Sequence, residues 1–467
     1  MNKKNFFKIC LLLATTISLS GCLKRTKRGY LIFYVWGNQD ELENYERISS
    51  DFEEETGIHV DVQSSADYYN NLQIMFSSDN SAPDVFWTES GQFNSHIKQN
   101  KLLNLSPYFS SDLLDVMSDE NPEGQIELWE GNDTYRYDGE VFGEGDYYAL
   151  IKDWSTDFVC WYNKSYIDSY NKLYGYKKGN PNFIEYPSET IPMSWDEFND
   201  LAYKLQEDQS LKATTKLEYG TMLDRVPYKH LFEMIQMKGV SPWDNQGYFN
   251  YTSEELKQAF RYFIDLQIGD KPVSPLVTSA SAIDSGTSFY NGKVMFCYFG
   301  NWAYTSYGWG EMKDKGYEIG LCPPPTPKKA TKEEETYAGC ASMVGLGIYN
   351  RSTMKTEAVK FLNYYMTQGQ DYLAGKGFNI PGNKAVAASD SFLKSENKEQ
   401  EYINNYFFNI ASKYSHNIEY NKDIAQEKVE DKINSTLKPY LEAGVKVTDR
   451  QIEDIVFSIY DQLRREF

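Results

Sequence analysis

An α/β protein of two lobes is what this sequence predicts, and three features predict it. The 467 residues exceed what one hydrophobic core usually serves, so two units of ordinary domain size are expected, each with its own core. Hydrophobic residues make up 41% and aromatic residues 16% of the chain, too apolar a balance for disorder. From Leu31 onward, strand-like and helix-like patterns follow one another in βαβαβ order, which points to a parallel sheet covered by helices.

The formal net charge of −20 argues against nucleic acid and against broad attachment to an anionic membrane surface. Tyrosine is in marked excess at 38 residues. Its ring offers a flat apolar face and its hydroxyl both donates and accepts, a combination suited to a polyhydroxylated ligand.

At the N-terminus, Lys3, Lys4 and Lys8 precede an apolar run from Ile9 to Leu19. The run is too short to span a bilayer and ends in small residues, as an export signal does. Leu19-Ser20-Gly21-Cys22 resembles the bacterial lipoprotein signal. That resemblance implies a signal peptide over residues 1–21, cleavage before Cys22, and lipid on the Cys22 sulfur and new amino group. Residues 22–29, with Lys24, Arg25, Lys27 and Arg28, then form a basic tether near anionic headgroups. Cys160, Cys297, Cys322 and Cys340 have no CxxC spacing and three of them sit in apolar runs, so free, mostly buried thiols and no metal site are expected.

Taken in order, Leu31 to Val35 is a strand ending at Trp36-Gly37. Leu42, Tyr45, Ile48 and Phe52 recur at helical spacing until Thr56-Gly57 stops the helix. A second strand starts at Ile58 to Val62, and a third at Val85-Phe86-Trp87 after the break at Ser81-Ala82-Pro83-Asp84. Residues 118–148 are acidic, glycine-rich and without period, and read as an irregular surface excursion. Tyr147 to Lys164 is a long extended segment taken as the first crossing between lobes. Ser194-Trp195-Asp196-Glu197, Thr252-Ser253-Glu254-Glu255 and Thr448-Asp449-Arg450-Gln451 each read as a capping box opening a helix.

The stretch Phe289 to Tyr304 joins a buried strand to an exposed aromatic cluster. Asn291-Gly292 marks a turn, Val294 to Phe299 is a run of strand length, and Gly300-Asn301 breaks it so that Trp302 and Tyr304 emerge beyond the strand end. In open α/β sheets ligands bind beyond the carboxyl ends of strands.

Several separated segments together resemble the extracellular solute-binding proteins of bacterial ABC importers, in the branch that carries sugars and oligosaccharides. They are Phe52 with Thr56-Gly57-Ile58, Ala82-Pro83-Asp84-Val85, Leu103 to Tyr108, Tyr162-Asn163-Lys164, Ser194 to Phe198, Gly292-Lys293 with Gly300-Asn301-Trp302-Ala303, and Ala358 to Leu362. The resemblance implies a periplasmic-binding-protein-like fold of type II: two α/β lobes joined by crossing hinge strands, with a ligand cleft between them. Residues 30–155 with about 312–355 would form lobe 1, and about 156–311 with 356–467 lobe 2. It also implies hinge closure on a sugar and delivery to permease subunits by a monomer without cofactor, held by its lipid on the outer face of the cytoplasmic membrane.

Carried over by position, the family's sugar contacts fall at Trp36, Asn38, Asp40 and Glu41 after the first strand and at Trp87 and Glu89 along the third. They continue at Asp224, Arg225 and Tyr228 in a loop of the second lobe, and at Asn301, Trp302 and Tyr304. Trp302 and Trp87 would stack on pyranose faces, and Glu89, Asp224 and Asn301 would bond hydroxyls. Between Lys152 and Phe158 the chain departs from the family pattern, so Asp153, Trp154 and Asp157 are not carried over.

Two other functions share these features. A glycosidase lipoprotein would also combine aromatic subsites with carboxylates, but no Gly-x-Ser-x-Gly, His-Glu-x-x-His or phosphate loop is present, and His59, His96, His230 and His416 are isolated. A lipoprotein reporting to a membrane kinase would use the same closing cleft.

Overall fold

The computed structural model describes residues 28–466 apart from 79, 110–131, 224–226, 279–283, 330–339, 420, 422 and 425. The signal segment, Cys22 and most of the tether lie outside the described residues, as do Asp224, Arg225 and part of the 118–148 excursion.

β1 (Leu31–Val35) is buried at all its positions, as an apolar run covered on both faces should be. It pairs in parallel with β2 (Val60–Ser64) and β3 (Val85–Glu89). Between β1 and β2 runs α1 (Gln39–Thr56), which buries Tyr45, Ile48 and Phe52. Gly57 ends it at φ 70°, a left-handed geometry that glycine adopts without strain.

The long extended segment contains two strands. β4 (Ala149–Thr156) belongs to the first sheet and β5 (Val159–Asn163) to the second, so the chain changes lobes between them. Lobe 2 continues through α2 (Trp195–Glu207), β6 (Tyr219–Thr221), α3 (Pro227–Met237), α4 (Glu254–Ile268), β7 (Val294–Phe299), α5 (Trp302–Ser306) and β8 (Ile319–Cys322). Its sheet has the order β8-β5-β7-β6.

The chain returns to lobe 1 as β9 (Cys340–Ile348), which lies between β3 and β4 and antiparallel to both. The sheet expected to be parallel is therefore mixed, because β4 and β9 connect to the other lobe and not to helical crossovers. Next come α6 (Lys355–Tyr364), β10 (Ile380–Pro381) beside β4, and α7 (Lys398–Asn409). β11 (His416–Asn417) pairs with β9. A third crossing leads to α8 (Gln426–Glu442) and α9 (Asp449–Leu463), which pack into the lobe 2 core.

Two parts of the expected division move. Residues 319–322 pair with β5 and so lie in lobe 2. The helix α6, expected in lobe 2, covers lobe 1 instead: the ring of Phe361 lies 5.1 Å from that of Phe33 and 5.2 Å from that of Phe52. Helical spacing identifies a buried stripe without saying which sheet it covers.

Capping boxes form at Ser194 with Glu197 and at Thr448 with Gln451. The third helix starts one residue later than its pattern suggested. Ser253 is the N-cap and accepts from the Leu256 amide, which puts Leu256 where the reciprocal acid would stand. Cys160, Cys297 and Cys322 are buried free thiols.

At the third crossing His416 Nε2 lies 3.4 Å from Glu233 Oε2 of α3, and Glu233 is fully buried. Burial by itself would lower the imidazole pKa, but the Glu233 carboxylate and nearby acceptors outweigh it and raise the value. A histidine with a raised folded pKa contributes stability that is complete below its unfolded value and lost as pH rises through the folded one. His416→Gln is therefore expected to lower the melting temperature more at about pH 6 than at about pH 8. Melting curves of both proteins across that range check this, and parallel pH dependences would rule the pair out.

Candidate functional site

The carboxyl ends of β1 and β3 in lobe 1 and the end of β7 in lobe 2 open onto one cleft of about 580 Å³. Lobe 1 places Trp36 and Asn38 there from the turn after β1, Glu41 from the first turn of α1, and Glu89 from the end of β3. β4 and the first crossing add Asp153, Ser155 and Asp157. Lobe 2 contributes Lys229 and Trp302.

Asn38 and Glu41 also hold the backbone in place. The Asn38 side chain accepts from the Glu41 amide at 3.0 Å, and the Glu41 carboxylate accepts from the Asn38 amide at 2.9 Å. This capping box went unread in the sequence, although its Asn-x-x-Glu spacing was there to see. Burial raises the Glu41 pKa, with the Asn38 amide and Lys152 working against it. Glu89 accepts a short hydrogen bond from the Tyr69 hydroxyl.

Trp36 is half-buried and stands edge-on to Tyr68, at 4.7 Å and 77°, and to Trp87, at 4.6 Å and 89°. Trp87 itself is only 1% exposed and does not line the cleft. Tyr45 of α1, 5.0 Å away, and Trp36 cover it, and the Lys152 ammonium lies 3.9 Å from its ring centre. Glu89 shares its strand face two residues further on and reaches past this cover.

The Trp302 indole N–H donates to Asp157 Oδ1 at 2.9 Å, and its ring meets Phe299 edge-on at 5.5 Å. Burial raises the Asp157 pKa, with Lys229, Trp302 and Ser342 opposing. Gly300 lets these groups meet: a Cβ there would lie 2.1 Å from Ser155 Oγ and 2.6 Å from Asp157 Oδ1.

The other expected contacts lie elsewhere. Asn301 is fully buried beside the cleft, its backbone N–H donating to Ser155 Oγ at 3.2 Å. Tyr304 points away, donating its hydroxyl to Glu399 at 2.8 Å and accepting from Asn397 at 3.1 Å. The segment after Asn301 is the helix α5, and residues two apart on a helix face opposite sides. Tyr228 is buried in α3, its hydroxyl bonded to Gln426. Asp40 is exposed and lies outside the lining.

The lining residues that sequence reasoning passed over include Asp153, Asp157, Lys229, Ser342 and Asn379. The first two occupy the segment where the family pattern lapses. The extended, charged character of that segment, next to a lobe crossing, was the available signal.

Two α/β lobes joined by three chain crossings around a common cleft define a two-lobed binding protein. The family of bacterial extracellular solute-binding proteins matches residues 37–372, and the chain belongs to that family. Solved structures share its type II periplasmic-binding-protein fold. The ABC substrate-binding protein Lmo0181 from Listeria monocytogenes in complex with cycloalternan is 19% identical, with a TM-score of 0.70 over 93% of this chain and 99% of that one. Maltose-bound MalE3 of T. maritima is 19% identical, with a TM-score of 0.67 over 94% and 100%. UgpB from Mycobacterium tuberculosis in complex with glycerophosphocholine is 15% identical, with a TM-score of 0.68 over 94% and 99%. Comparison with curated proteins gave no match.

Gly300→Ala is expected to cost about 1–3 kcal/mol, as an inserted methyl does in a packed site. Chemical denaturation measures this, and unchanged stability would show that Ser155 and Asp157 yield freely.

Proposed function

We propose that this protein captures a sugar or oligosaccharide outside the cell and delivers it to an ABC importer permease by closing its lobes over the ligand. One observation carries the reading. Trp36 from lobe 1 and Trp302 from lobe 2 line the same cleft, with Glu41, Glu89, Asp153 and Asp157 around them. Flat aromatic faces suit the apolar face of a pyranose, and carboxylates accept from its hydroxyls. The ligands named for two of the similar structures, cycloalternan and maltose, are consistent with this.

In this reading the carboxylates act as hydrogen-bond acceptors and not as a catalytic acid and base, and the protein works as a monomer without cofactor. A ligand that touches both tryptophans prefers the closed arrangement and draws the population to it. Lipid on Cys22 would keep the protein on the outer face of the cytoplasmic membrane. Among the described residues no helix is long and apolar enough to cross one.

Trp302→Ala is expected to weaken glycan binding at least about tenfold, roughly 1.4 kcal/mol, with little change in melting temperature. Titration calorimetry beside a thermal melt measures both, and a large stability loss with unaltered affinity would return Trp302 to a structural role. Saturating ligand is expected to reduce the radius of gyration in small-angle scattering. An unchanged radius would remove hinge closure from the mechanism.

A further inference from the structure

Charge is unevenly divided across the cleft. Among the described residues that line it, Glu41, Glu89, Asp153 and Asp157 carry carboxyls, and Lys229 alone carries an ammonium. Lys152, buried and held over the Trp87 ring, is paired with Asp153 and offsets that carboxylate, which leaves Glu41, Glu89 and Asp157 against Lys229.

Two acceptors of lining residues are also unmet. Oδ1 of Asp153 and Oδ1 of Asn379 are buried without a hydrogen-bond partner among the described residues. A buried acceptor left unmet is costly, so the lining around these oxygens favours a donor over a further acceptor beside it. Hydroxyls and ammonium groups donate, whereas a carboxylate or phosphate dianion only accepts.

An anionic ligand group would meet unmatched acceptors together with the carboxyls of Glu41, Glu89 and Asp157. Burial already raises the pKa values of Glu41 and Asp157, the response of acids whose charge is poorly solvated. Partly buried charges are screened less than exposed ones, and like charges brought together at an interface are strongly disfavoured. The net charge of −20 adds a field of the same sign at longer range.

We propose that the cleft takes glycans whose units are neutral or carry a protonated amine, and rejects uronates and sugar phosphates. This rests on the sugar-binding reading above and adds the charge class of the ligand.

Matched probes test the two separately. Gluco- and galacto-configured oligosaccharides are titrated calorimetrically beside their 2-amino counterparts, their uronate counterparts and the methyl esters of those uronates. The ester keeps the shape of the uronate and removes its charge. In a series that binds, the uronate is expected to be at least tenfold weaker than both its ester and the neutral sugar, and the amino sugar at least as tight as the neutral one. A uronate as tight as its ester overturns the proposal while leaving sugar binding intact. So does an ester as weak as its acid beside a neutral sugar that binds, because shape and not charge would then discriminate. Failure of all members to bind saturably overturns the sugar reading, and the charge class with it.

Discussion

The close contact between the end of β7 and the first crossing segment is the constraint on which the cleft depends. Gly300 brings backbone against Ser155 and Asp157 at distances that a Cβ could take up only if one of those side chains shifted. Ser155 then accepts from the Asn301 amide, and Asp157 from the Trp302 indole. A lobe 2 tryptophan is thereby oriented by the residue that follows the strand leaving lobe 1. An aromatic platform fixed in this way loses little rotamer freedom on meeting a ligand, which is one route to affinity without added contact area.

Lobe 1 has a comparable fixed point away from the cleft. Asp84 is fully buried, and its carboxylate accepts from the Ile32 amide at 3.0 Å, the Ser352 hydroxyl at 2.6 Å and the Arg28 guanidinium at 2.9 Å. A buried carboxylate is tolerable only when it is paired and bonded in this manner. One of the segments on which the family resemblance rests, Ala82-Pro83-Asp84-Val85, thus has a structural role: it ties the start of β1 to β3 and to the loop after β9. Arg28, the last basic residue of the tether, is the counter-charge, so the tether's end is docked on lobe 1.

Legibility in the sequence followed the range of the interactions. The runs that became β1, β3 and β7, the stripe of α1, and the caps at Ser194 and Thr448 depend on residues a few positions apart, and their patterns are plain. Trp302 was legible because Gly300-Asn301 breaks a strand just before it. Trp87 was misplaced because its cover, Tyr45 and Trp36, comes from other elements. Tyr304 was misplaced because a short helix begins after Asn301 and its spacing turns Tyr304 away from Trp302. Asp153 and Asp157 escaped because their place in the cleft comes from the pairing of β4 with β9 and from the crossing, not from any local motif.

Composition, strand runs, helix stops and the ordered set of family-like segments were enough to establish two α/β lobes and an aromatic residue at the mouth of a strand, since all are set by neighbours along the chain. Which lobe received residues 319–322 and α6, which tryptophans face the cleft, and how four carboxyls came to share it were matters of long-range pairing. Side chains 100 residues or more apart, such as Trp302 and Asp157, are brought together by sheet register and lobe crossing, and a linear pattern carries no record of either.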